Sequence, residues 1–210
     1  MDLVCIDLDN TLIDSDKPHI LAYNLAFKKH NLNQISPARI KKLFGLVGFQ
    51  IVKRLFPKLK KAEIEKIVDD HDYFLQRKTK KHLKPFKGVK AALKKLKKKY
   101  KLVLVSNCRH KEILLILKTV KINPKNFKSL IGNDDVKNPK PWPDEIIKAK
   151  KLSHAKAGIL IGDSIYDIMA GKKAGVKTIA VLTGNHSYAQ LKKEKPDYIL
   201  KDFNQVLKIL

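Results

Sequence analysis

Two cysteines, Cys5 and Cys108, are all that 210 residues offer, which excludes a disulfide framework and a thiolate zinc site. A reducing cytoplasm is therefore the expected setting. No apolar run nears the length that crosses a bilayer, so no membrane partner is expected. The first residues lack the basic and apolar regions of a secretion signal, and a strand candidate starts so near Met1 that no targeting segment is expected. The histidines at His30, His71, His82, His110 and His154 show no metal-ligand spacing and are expected on the surface. Acidic residues are scarce, 20 against 45 Lys and Arg, for a formal net charge of +25. That excess could serve nucleic acid. However, the lysines are spread over Lys58–Lys61, Lys78–Lys81, Lys94–Lys101 and Lys192–Lys195, mostly on polar sides of candidate helices. Aromatic residues are not interleaved with them as stacking platforms. The charge reads as a solvated, lysine-biased surface, whose field would still draw in anionic substrates.

What is present is organised around residues 2–12. Leu3 to Ile6 form a short apolar run with β-branched members, read as a strand buried on both faces. It ends in Asp7 and Asp9, two carboxylates at strand spacing that share one face. Like charges that close require a cation or a proton between them. A nucleophile beside a general acid/base, with a metal damping the repulsion, is the chemistry that uses such a pair.

From Pro18 to about Lys84 the apolar spacing is helical, with no convincing strand. Helices are expected from Ile20 to Phe27, from Ser36-Pro37 through Leu43, around Ile51 to Phe56, and from Ala62 to about Thr79, broken by the flexible stretch between Gly45 and Gly48. From Pro85 onward, helices alternate with the strands Leu102–Val105, Ser129–Ile131, Ile159–Ile161, Thr178–Leu182 and Tyr198–Leu200. The expected fold is α/β, a Rossmann-like, doubly wound, mostly parallel sheet. Its core takes residues 1–14 and 86–210, with a helical insertion over 15–85. Ligands in such sheets lie beyond the carboxyl ends of the strands, where Asp7, Ser106 and Asp163 fall.

Four motifs in order now carry a resemblance: Asp7-Leu8-Asp9-Asn10-Thr11-Leu12, Ser106-Asn107, Lys140-Pro141-Trp142-Pro143, and Gly162-Asp163-Ser164-Ile165-Tyr166-Asp167. Together they resemble the haloacid dehalogenase-like hydrolases, and within them the phosphoglycolate phosphatase-like branch with a helical cap. The similarity runs the length of the chain, and Pro85-Phe86-Lys87-Gly88-Val89 resembles the return from cap to core. The resemblance implies a magnesium-dependent phosphatase in which Asp7 attacks phosphorus to form an aspartyl-phosphate. Asp9 would protonate the leaving oxygen and then activate water; dehalogenases of the superfamily lack this acid. It further implies Mg²⁺ held by Asp7, the Asp9 main-chain carbonyl and Asp163, with Asp167 holding a metal-bound water or orienting a ligand. Ser106 and the following Asn107 backbone N–H would bind the phosphoryl oxygens, and Lys140 would neutralise their charge. Trp142 is bulkier than the family's pattern expects there.

Specificity would come from contacts the insertion supplies as it closes over the core, with Gly45, Gly48, Lys53 and Arg54 within it and Arg109 in the core as candidates. The expected partner is a small phosphorylated substrate: phosphoglycolate, a sugar phosphate or a nucleotide. The alternatives are a phosphomutase of the same superfamily, an end phosphatase for nucleic acid, and a basic, non-catalytic nucleic-acid-binding protein on this fold. Cys5 is expected in the core, and Cys108 near the site without a chemical role.

Overall fold

A computed structural model describes residues 2–210. The first strand, β1 (Leu3–Ile6), is followed by a two-residue strand, β2 (Ile13–Asp14). Four helices come next: α1 (Asp16–Lys29), α2 (Pro37–Lys41), α3 (Gly48–Leu55) and α4 (Lys61–Phe74), the last running on as a wider turn over Leu75–Thr79. The chain then makes β3 (Lys84–Pro85), α5 (Val89–Leu96), β4 (Lys101–Val105), α6 (His110–Thr119), β5 (Ser129–Ile131) and α7 (Asp144–Ser153). It continues with β6 (Gly158–Gly162), α8 (Ile165–Lys173), β7 (Lys177–Val181), α9 (Tyr188–Lys193) and β8 (Tyr198–Leu200), and ends in a tight helical turn over Phe203–Lys208.

Six strands form one parallel sheet in the order β5-β4-β1-β6-β7-β8. The chain starts in the middle and winds outward on both sides, the doubly wound pattern in which helices cover both faces. Alternation along the strands shows this: Val4, Ile6, Leu102 and Leu104 pack with α5 and α6, while Leu3, Cys5, Val103 and Val105 pack with α7. Strands apolar at every position are what two covered faces require.

The helices between β2 and β3 hold a separate apolar cluster, centred on Tyr23, Phe27, Ile40, Val52, Ile64 and Ile67. Within it, α2 stops at Lys41 rather than Leu43, because the chain turns over the next residues into Gly45 at φ +94°, a left-handed conformation open mainly to glycine. The third helix opens at Gly48, where an added Cβ would lie 3.3 Å from Tyr23 and Val68. The entry and exit strands pair antiparallel, Ile13 opposite Pro85 and Asp14 opposite Lys84. Helical spacing cannot reveal a ribbon this short, nor did it reveal α9. No described helix is long and apolar enough to cross a membrane.

Candidate active site

Parallel strands deliver their C-terminal residues to one edge, and β1, β4 and β6 lie side by side there. Asp7, Ser106 and Asp163 follow those strands directly and line one cavity of about 330 Å³, roofed by residues of the helical block. Its size suits a small molecule.

Lys140 is buried, and its ammonium bridges Asp7 Oδ1 and Asp167 Oδ1, at 2.7 Å each, and donates to the Val105 carbonyl. Asp167 is the third residue of α8. Its Oδ2 accepts from the Ser164 N–H at 3.1 Å and the Ser164 hydroxyl at 2.5 Å, a capping box at a helix start. Both of its oxygens are thus engaged, one of them holding Lys140. The Thr11 hydroxyl lies 3.1 Å from Asp7 Oδ2 and 3.2 Å from Asp163 Oδ1, and its single proton can serve only one of them.

Asp7, Asp163 and Asp167 each place a carboxylate oxygen within 4.8 Å of the others. Burial pushes the Asp7 carboxyl up to about 7, with Lys140 opposing and Asp167 adding to the rise. Burial pushes Asp163 up as well, with Asp7 and Asp167 adding repulsion. Three buried carboxylates around one ammonium leave negative charge uncompensated, and an oxygen-only donor set of this kind fits a hard divalent cation. Gly184 lies against the group: a Cβ there would fall 1.7 Å from Asp163 Oδ2.

Asp9 meets a different environment in the same cavity. Its Oδ1 is 3.2 Å from His19 Nε2, and its Oδ2 accepts from Cys108 Sγ at 3.0 Å. Burial alone would raise the Asp9 carboxyl, but the His19 hydrogen bond and charge hold it at about 2. Burial would lower His19 in turn, and Asp9 raises it to about 9. His19 Nδ1 is 3.1 Å from His71 Nε2, and His71 Nδ1 is 3.2 Å from Asp72 Oδ1. Burial pushes His71 down, so His19 carries the charge of the pair. Glu112 Oε1 lies 3.8 Å from His19 Nδ1 with no hydrogen-bond partner, and burial raises its carboxyl to about 8.

Among the remaining expected residues, Ser106 is buried at the cavity wall, its Oγ accepting from the Cys108 N–H. The Asn107 side chain donates to the Gly45 and Lys140 carbonyls at 2.7 and 2.9 Å, fastening the helical block to the lysine loop. The backbone N–H groups of Leu8, Asp9 and Asn107 donate to no acceptor among the described residues. Gly45, Gly48 and Arg109 line the cavity, and Arg109 bonds Asp69 at 2.5 Å and Asp72 at 3.0 Å across to α4. Lys53 and Arg54 do not line it; they are exposed, because Ile51, Val52 and Leu55 are the inward residues of α3. The expectation of surface histidines fails at His71, which is 3% exposed and packed on Tyr23. Trp142 projects outward beneath Lys173, so its bulk does not enter the lysine loop.

Sequence reasoning missed His19, His71 and Glu112. Glu112 left a signal: four residues before Ile116 and one before Ile113, it lies on the inward stripe of α6. The histidines left none, being 52 residues apart and joined only by the packing of α1 on α4.

The sequence pattern of the haloacid dehalogenase-like hydrolases matches residues 4–181. The chain belongs to this family. PpaX of Caldanaerobacter subterraneus subsp. tengcongensis is 30% identical over 99% of this chain and 93% of its own length, and the pyrophosphatase PpaX of Bacillus mycoides is 28% identical over 99% of this chain and 95% of its own. The phosphoglycolate phosphatase of Aquifex aeolicus is 28% identical, covering 100% of this chain and 97% of its own. Among solved structures, a predicted phosphoglycolate phosphatase from Haemophilus somnus superposes with a TM-score of 0.86 at 26% identity, over 100% of this chain and 97% of that one. In this haloacid dehalogenase-like chain, Asp7, Asp9, Ser106, Lys140 and Asp163 are thus gathered at the carboxyl edge of the sheet.

Proposed function

We propose that this phosphatase hydrolyses small organic phosphate monoesters through a phosphoryl group carried transiently on Asp7. Phosphatases of the family generally use a divalent metal. We assign Mg²⁺ to Asp7, Asp163 and the Asp9 main-chain carbonyl, with Asp167 as the outer residue that positions Lys140. When bound, the cation offsets the charge of the nucleophile and the phosphoryl oxygens.

The chain's own residues do the rest. Lys140 holds Asp7 Oδ1 and orients the carboxylate toward the cavity. Free N–H groups at Leu8, Asp9 and Asn107, with the Ser106 hydroxyl, receive the phosphoryl oxygens. At rest the Asp9–His19 pair carries one proton at neutral pH, held on His19 at Nε2 against Asp9 Oδ1. As the ester oxygen leaves Asp7's target phosphorus, that proton passes to it through Asp9. Asp9, ionised again, then takes a proton from the water that releases phosphate. Residues 15–85 act as a cap, hinged at the β2–β3 ribbon, that excludes bulk water during transfer.

The observation that carries this reading is the pair of opposite environments given to Asp7 and Asp9 in one small cavity. An organic leaving group is favoured by the cap's side of that cavity, where Phe44, Leu46, Val47, Phe49, Ile51 and Val68 are apolar. Inorganic diphosphate would ask for cationic side chains there instead. A panel of monoesters with small acid, sugar and nucleoside groups, run beside diphosphate, tests this through kcat/KM for phosphate release. The best monoester is expected to exceed diphosphate by at least roughly tenfold, the discrimination a modest apolar contact supplies. Preference for diphosphate would overturn the substrate reading. Failure to trap a beryllium fluoride adduct on Asp7 would overturn the mechanism.

A further inference from the structure

We propose that His19, His71 and Glu112 form a second cation site, of the kind that takes a zinc-class transition ion, where the helical block meets the core. The argument is one of donors and acceptors. His19 Nε2 faces Asp9 Oδ1 at 3.2 Å, and His71 Nδ1 faces Asp72 Oδ1 at 3.2 Å. A carboxylate only accepts, so each imidazole spends an N–H on its outer partner. With both rings neutral, as a bound cation requires, that places the lone pairs on the two inner nitrogens, His19 Nδ1 and His71 Nε2, which point at each other across 3.1 Å. Glu112 Oε1 joins them at 3.8 Å from His19 Nδ1, in a residue only 6% exposed, and has no donor. One extra proton between the nitrogens satisfies that pair but leaves Glu112 unserved. A cation serves all three.

The spacing agrees. Two nitrogens on a tetrahedral Zn²⁺ at ordinary bond lengths stand about 3.3 Å apart, and the observed separations of 3.1 and 3.8 Å bracket that value. The outer carboxylates on both histidines reproduce the second layer that orients imidazole ligands and raises their basicity. Two histidines and one carboxylate suit zinc better than magnesium, which prefers oxygen donors and near-octahedral geometry. All three residues line the cavity, so a fourth position can face it. The ligands come from α1, α4 and α6, so an ion there ties the helical block to the sheet's own helices.

The test uses the intact protein in a large excess of Mg²⁺, which keeps the oxygen-only site filled, titrated with Co²⁺ and Zn²⁺. One ion per chain is expected to remain bound, with the intense visible absorption of four-coordinate Co²⁺, and its binding should raise the thermal midpoint. Glu112→Gln removes one ligand charge and no hydrogen bond, so its folding is secure. Both it and His71→Gln should weaken retention by at least roughly the 10- to 100-fold that loss of an outer partner costs. Asp163→Asn, in the other site, should leave retention unchanged. The proposal is overturned if no ion survives the Mg²⁺ excess, if Co²⁺ shows only the weak spectrum of six oxygen ligands, or if Asp163→Asn abolishes retention while Glu112→Gln keeps it. Anomalous scattering from a Zn²⁺-soaked crystal provides a second reading, with the peak expected between the three side chains.

Discussion

Asp7 and Asp9 stand two residues apart, line one cavity, and live under opposite rules. Around Asp7 the neighbours are carboxylates and a single ammonium, and burial pushes its carboxyl up to about 7. Around Asp9 the neighbours are a charged imidazole and a thiol, and its carboxyl is held near 2 despite burial. The first wall is short of positive charge and, on the proposed reading, is the one that takes Mg²⁺. The second draws its positive charge from His19, as a protonated imidazole that can give up a proton or, at the second site proposed above, exchange the inner proton for a metal ion. Two identical side chains can thus take the roles of nucleophile and acid/base through their surroundings alone.

Removing the nucleophile breaks the comparison most severely. Asp7→Asn should cost on the order of 10⁵- to 10⁶-fold in kcat toward an aryl phosphate, with the fold intact by circular dichroism. Residual activity near wild type would mean that phosphorus is attacked by something else. Asp9→Asn should cost less, about 10²- to 10⁴-fold, the usual range for a general acid/base. Its loss should shrink for esters whose leaving group needs no proton, and equal losses across leaving groups would remove Asp9 from that role.

The third effect is on stability and has a defined sign. His19 is raised from 6.5 to about 9, so its charge stabilises the fold fully below pH 6.5 and loses that effect as pH rises through about 9. Asp9, lowered from 3.8, retains its share until pH falls toward about 2. Denaturant unfolding of wild type against His19→Gln should therefore differ by on the order of 3 kcal/mol near pH 5–6 and converge above pH about 9. A difference that does not change with pH would show that packing alone holds His19. The smallest expected effect concerns the +25 surface: binding to single- or double-stranded oligonucleotides should be weak and gone by physiological salt. A salt-resistant complex would show that the lysines have a partner of their own.

Much of this comparison is legible in the chain before any coordinates. Asp7 and Asp9 announce themselves because a buried strand ends in two charges, and Ser106 and Asp163 because they end two more such strands. Lys140 stands out from the other lysines only by its Lys-Pro-x-Pro setting. What gives Asp9 its character is not legible, since His19 and His71 meet through the packing of α1 against α4. Periodicity says which face of a helix is buried, not which residue of another helix lies opposite. Arg54 shows the converse: it has the right charge in the right block, but its helix turns it to solvent.

The paired strands β2 and β3 carry a consequence of another kind. Ile13 and Pro85 lie opposite each other, so the helical block leaves and rejoins the sheet domain at nearly one point. A detour closed at one point can change length cheaply, since doubling a flexible loop costs only about 0.6 kcal/mol in closure entropy. The block also keeps its own apolar cluster, so its exchange need not disturb the residues that pack the parallel strands. The sheet domain and the helical block therefore keep separate apolar interiors while walling one shared cavity. On the proposed reading, the apolar roof residues can change while His19, which reaches down to Asp9, stays fixed, and Asp7, Lys140 and Asp163 keep their places.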